Sequence, residues 1–200
     1  MQKKDPFFGP KLFPVRPLRA LAAVPPVQNR EWTWLARQNN LETMSEHKAN
    51  IRWDRTGPDF LKGKYSREHT WKFDGGLTVP ASSAPSSVPL PYSNPAHVDP
   101  EEAFVASVSS CHMLTYLFLA YRQGFQVDSY EDEAVGMMTK NEKGIPWVSS
   151  IKLHPKIAYS GEKRPTHEDE ESLHHAAHQQ CFIANSVKTQ VTIEGFPEHP

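Results

Sequence analysis

Between Asp99 and Gly124 apolar residues are so dense that a helix there keeps no polar face of ordinary width. Phe104, Val105, Val108, Cys111, Met113, Leu114, Leu117, Phe118 and Leu119 spread around most of a helical circumference. Asp99 supplies an N-cap, Pro100 suits the first helical position, and Glu101 and Glu102 stand where the helix dipole favours negative charge. The pattern predicts one helix from Pro100 to Gln123, ~36 Å long, closed by Gly124. A helix apolar nearly all round must be buried nearly all round. One sheet covers one side of it, so the other side is expected to pack on a second copy, as a homodimer.

On either side the period shortens to two. Ile51 and Trp53 mark a first strand, and Tyr65 to Phe73 a second, with Tyr65, Arg67, His69, Trp71 and Phe73 on one face. Asp74-Gly75-Gly76 predicts a hairpin turn into Leu77-Thr78-Val79. A loop rich in proline and serine, residues 80–98, leads to the helix. Beyond it, Val127 to Met138 and Trp147 to Tyr159 read as two strands around a turn at Lys140 to Gly144. Thr166 and Asp169 predict the start of a second helix carrying Leu173, Ala177, Cys181 and Ala184 on one stripe, followed by a strand with Val187, Thr189, Val191 and Ile193. Strands, helix, strands, helix, strand is an α+β order.

Composition divides the chain further. Residues 1–43 hold seven Lys or Arg against three Asp or Glu, and six of the 18 prolines, which predicts an irregular extension. Residues 44–195 form the expected domain and 196–200 a tail. Formal net charge is −1 with no long basic run, so neither nucleic acid nor an anionic membrane is an expected partner. The run from Met113 to Tyr121 falls short of the ~18 apolar residues of a membrane span. With two cysteines, no disulfide framework and no secretory signal, the expected compartment is the cytoplasm.

Those cysteines, Cys111 and Cys181, are the candidate chemistry. Cys111 reads either as a small buried hydrophobe or as a reactive thiol among Ser107, Ser109, Ser110 and His112. Mid-helix, it lacks the helix N-terminus that lowers a thiol pKa, so activation needs a cation from elsewhere. A competing reading puts His174, His178 and Cys181, at i, i+4 and i+7, around a metal ion, with His112 nearby. The bland alternative leaves His174, His175 and His178 exposed on a polar helix.

The run from Asp99 to His112, with Cys181 near the end of a second helix, resembles the signature of the OsmC/Ohr family over roughly residues 48–194. The resemblance implies an OsmC-like α+β fold with antiparallel sheets around a long central helix, in an intertwined homodimer. It also implies a cofactor-free thiol peroxidase of organic hydroperoxides, and less efficiently of hydrogen peroxide. Cys111 would be the peroxidatic and Cys181 the resolving cysteine, recycled by a small or lipoyl-bound dithiol. Two positions depart from the family: Phe182 follows the second cysteine where proline is usual, and the Pro-rich loop has no arginine. Arg67 is therefore the substitute for the catalytic arginine and Glu101 its carboxylate partner. Ten residues separate Glu101 from Cys111, ~15 Å along a helix, so Glu101 is expected to serve the partner's thiol.

Overall fold

Three sheets and two helices build the domain in the computed structural model, which describes residues 45–196; the segment 1–43 lies outside them. The first sheet is an antiparallel meander of β1 (Ala49–Arg52), β2 (His69–Phe73) and β3 (Thr78–Ala81), with Ile51, Trp71 and Val79 in one row across it. The hairpin at Asp74 to Gly76 is as expected, with Gly76 at φ 90°, a conformation that favours glycine. The second strand is shorter than its alternation predicts. Residues 65–68 leave the sheet because their polar groups bond elsewhere: the Arg67 amide donates to Tyr92 O (2.8 Å), and Ser66 O accepts from Trp53 Nε1 (2.8 Å).

The central helix α1 (Pro100–Arg122) is continuous. Its start carries a full capping box, in which Asp99 accepts from the Glu102 amide (2.8 Å) and Glu102 accepts from the Asp99 amide (3.2 Å). Among the described residues it is the one helix long and apolar enough, by length and composition, to cross a membrane. Four of its residues, Val108, His112, Tyr116 and Ala120, are buried in this chain, where strands and the second helix pack on it.

Each run read as a single strand after α1 is broken in two. They give β4 (Gln126–Asp132), β5 (Val135–Lys140), β6 (Pro146–Leu153) and β7 (Pro155–Ser160). Asp132 causes the break. Its carboxylate accepts from the His154 amide (2.6 Å) and from Ser109 Oγ (2.5 Å), and His154 Nδ1 donates to Glu133 O (2.9 Å). Both strands bend at this clamp, so β4 pairs with β7 in one antiparallel sheet while β5 pairs with β6 in another. The last strand, β8 (Gln190–Ile193), joins β6 in parallel, whereas the other paired strands among the described residues are antiparallel.

α1 crosses two cores. Its first half packs Val108 on Ile151, Leu153, Val191 and Ile193. The approach is close enough that a Cβ on Gly136 would stand 2.5 Å from Val105 Cγ2. Its second half packs Tyr116 and Ala120 with Phe125 and with Leu173 and Ala177 of α2 (His167–Gln180). Thr166 and Asp169 cap α2 reciprocally, as expected. The helix then ends one residue before Cys181, so Cys181 and Ala184 do not continue its apolar stripe. Phe196, expected in the tail, packs its ring 4.6 Å from that of His174.

Candidate active site

Cys111 lies on α1 between the two cores and is half-buried. Cys181, 70 positions later in the chain and fully buried, is near enough to feel the Cys111 side chain. The end of α2 makes this meeting possible. Cys181 is its C-cap, in extended conformation (ψ 115°), and the chain then turns into a short 310 segment, Ala184–Ser186. Asn185 fixes that turn through Nδ2, which donates to Gln179 O and Cys181 O (both 2.9 Å). The Ala184 amide donates to Cys181 Sγ at 3.4 Å.

Burial, followed by interaction with the Cys111 side chain, pushes the Cys181 thiol up to about 11, and the local amides offset this only in part. At neutral pH Cys181 is therefore a protonated thiol. Phe182 is 72% exposed and takes no part in holding the sulfur. The backbone around Cys181 is instead shaped by Asn185 and by Ser186, whose Oγ donates to Phe182 O (2.7 Å).

Arg67 and Glu101 stand elsewhere. Arg67 Nη1 donates to Gly63 O (3.1 Å) and Tyr65 O (2.5 Å), and its guanidinium lies 3.6 Å from the Tyr65 ring centroid. It lines a cavity of about 430 Å³ with Trp53, Phe60, Tyr65, His69 and Pro100. His69 steadies this region: its Nδ1 donates to Arg67 O (2.7 Å) while Nε2 accepts from Trp71 Nε1 (2.8 Å). Pro100 is the first residue of α1, so Arg67 lies at the Glu101 end of the helix. Cys111 is ~15 Å further along the axis. Glu101 lines a second cavity, about 680 Å³, with Glu102, Ser109, Ser110 and Met113. Among the described residues, no carboxylate forms an ion pair with Arg67.

The metal reading is not assembled. Among the described residues no group of three or more His, Cys, Asp or Glu side chains is placed to hold a metal ion. Cys181 has left the helix that carries His174 and His178, and His174 is engaged elsewhere. Nor is His174 exposed, as the bland alternative expected: it is buried against His112, whose Nε2 lies 3.0 Å from His174 Nδ1. The rings are parallel within 8°, and Tyr116 and Phe196 flank His174 with centroids at 4.4 and 4.6 Å. Sequence reasoning missed this pair. Its only signal was two histidines at positions flanked by apolar residues, at Cys111-His112-Met113 and Leu173-His174. The clamp on Asp132 and the Tyr116–Tyr159 hydroxyl contact (2.5 Å) were likewise unforeseen.

A helix crossing two cores, with two distant cysteines meeting at their junction, defines an α+β protein built around a thiol pair. The model of the OsmC-like protein family matches residues 93–195, and the chain belongs to this family. An OsmC-like protein of unknown function from Vibrio cholerae is 51% identical over 76% of this chain and 99% of its own, with a TM-score of 0.74. Two organic hydroperoxide resistance proteins share the fold. That of Elizabethkingia anophelis is 21% identical, covering 76% of this chain and 98% of its own, with a TM-score of 0.55. That of Bacillus subtilis is 19% identical, covering 75% and 97%, with a TM-score of 0.53. No match was found among curated proteins.

Proposed function

We propose that this protein is a cytoplasmic thiol peroxidase that reduces organic hydroperoxides, and hydrogen peroxide less efficiently. The nearness of Cys111 to Cys181 carries the reading. Cys111 is the more accessible sulfur, and Cys181, held protonated and buried, is unsuited to attack first. The Cys111 thiolate attacks the outer peroxide oxygen, the O–O bond breaks, and the alkoxide leaves as the alcohol after taking a proton. Cys111 is now a sulfenic acid. Cys181 attacks its sulfur, the S–S bond forms, and the hydroxyl departs as water with the Cys181 proton. A dithiol, small or lipoyl-bound, returns both cysteines to thiols by exchange.

The cation for this chemistry comes from a second copy of the chain. Arg67 and Glu101 sit at one end of α1 and Cys111 a helix-half away, so an antiparallel pairing of two central helices would bring Arg67 and Glu101 of one copy to Cys111 of the other. There Glu101 would clamp the guanidinium and Arg67 would stabilise the thiolate and the leaving oxygen. Exposed apolar residues on this single chain support such a partner: Leu114 and Tyr121 on α1 are 61% and 64% exposed, and Ile51 on β1 57%.

Single-turnover oxidation tests the proposal. Mixed with cumene hydroperoxide, the reduced protein should lose both thiols within one turnover and form an intramolecular disulfide. Cys111 reacting no faster than a free thiol would remove the assignment.

A further inference from the structure

Cys111 is followed by His112, and Cys181 lies seven residues, about two helical turns, after His174. The hydrogen bond between these two histidines therefore ties the helix carrying one thiol to the helix that ends in the other. We propose that His112 and His174 are positioning residues, whose buried hydrogen bond holds α1 and α2 at the spacing in which Cys111 and Cys181 can form a disulfide. A disulfide requires Cα atoms within ~7 Å and defined dihedrals, so a slip of an ångström or two between helices is enough to lose it. The bond is well suited to resist such a slip. Both rings are nearly excluded from solvent, at 1% and 2% exposure, and His174 is wedged between Tyr116 and Phe196.

The hydrogen bond also has a direction. His112 Nδ1 is buried and, among the described residues, without a hydrogen-bond partner. An orphaned N–H is rarer in a protein interior than an orphaned acceptor, so the proton of His112 belongs on Nε2, which donates to His174 Nδ1. His112 thereby acts through α2 on the sulfur at its end, and touches no reacting atom in this role.

The inference takes its meaning from the peroxidase reading, but thiol–disulfide exchange with glutathione tests it without any peroxide. Oxidised glutathione takes the two thiol hydrogens and leaves as two reduced molecules, so the equilibrium constant measures how well the fold presents the thiols to each other. In the full-length chain, His112→Phe keeps the ring volume and removes the donor, and should lower that constant by about 10-fold, equivalent to ~1.4 kcal/mol of the lost bond falling on the disulfide form, which needs the helices at one spacing. His112→Gln, whose amide can donate to His174 Nδ1, should restore it to within about 3-fold of wild type. In a Cys181→Ser background, His112→Phe should leave the first oxidation by cumene hydroperoxide at its unsubstituted rate, separating resolution from attack. A folded His112→Phe protein with the wild-type constant, or a His112→Gln protein as impaired as the phenylalanine variant, would overturn the proposal. The wild-type protein gives a reading free of folding defects: imidazole nitrogen-15 shifts at pH 7 should show His112 protonated at Nε2 alone, and protonation at Nδ1 refutes the assigned bond. If peroxide oxidation fails while the exchange results hold, the peroxidase reading falls and the positioning role stands.

Discussion

At the scale of the residue, the two thiols differ in environment and so in expected phenotype. Cys111→Ser should reduce peroxide consumption to the background rate. Cys181→Ser should consume one equivalent and stop, since the sulfenic acid has no resolving partner, and mass spectrometry of the +16 species checks this. The histidine pair adds a pH signature. Burial, as the largest cause, lowers the pKa of His112 from 6.5 to about 4 and that of His174 from 6.5 to about 3. His178 and Asp132 act on His112 in opposite directions, and His112 further lowers His174. The unfolded chain therefore binds protons that the folded one refuses. Their contribution to stability is complete above pH 6.5 and is lost as pH falls toward 4 and then 3, at up to ~1.4 kcal/mol per pH unit for each ring. Denaturant midpoints between pH 7 and 4.5 should fall less steeply in His112→Phe than in wild type; equal slopes would mean the rings are not buried neutral. The cysteines were legible in the sequence because a thiol is chemically singular. The histidine pair was not, because a bond between residues 62 positions apart leaves no local pattern.

At the scale of the element, the long helix was readable almost to the residue, because its cap, its dipole charges and its closing glycine are all local signals. The strands after it were not. Val127 to Met138 has no proline at the bend, and only the carboxylate of Asp132, reaching Ser109 on α1 and the His154 amide, shows where the strand must break. Asp132→Ala should leave two half-buried donors, Ser109 Oγ and the His154 amide, without this partner and cost about 1–3 kcal/mol, measured by chemical denaturation. Gly136→Ala tests the other contact of α1 with its sheet. A Cβ 2.5 Å from Val105 Cγ2 forces the helix or the strand to move, with an expected loss of about 1–3 kcal/mol. An unchanged midpoint would show that the sheet yields freely there.

At the scale of the whole molecule, the proposed composite site makes a prediction that no single-chain site shares. Glu101→Gln and Cys111→Ser proteins should each be nearly inactive as homodimers. Mixed by refolding or coexpression, they should recover part of the wild-type activity, because the heterodimer unites an intact Glu101 with an intact Cys111 at one of its two sites. No recovery in a verified heterodimer would place Glu101 outside the reaction. Arg67→Lys should impair the same step, since a lysine cannot make the bidentate pair with a carboxylate that a guanidinium makes.

The sequence by itself determined the capped apolar helix, the α+β order and the identity of the two thiols, because capping, periodicity and the chemistry of sulfur are local properties. It also placed Glu101 ~15 Å along the helix axis from its own Cys111, since helix rise is fixed. Only the tertiary structure decided that α2 stops before Cys181, that Asp132 splits two strands into two sheets, and that His112 meets His174 in the core. Each of these depends on which distant groups are left to satisfy buried hydrogen-bonding atoms, and that accounting closes only when the chain is folded.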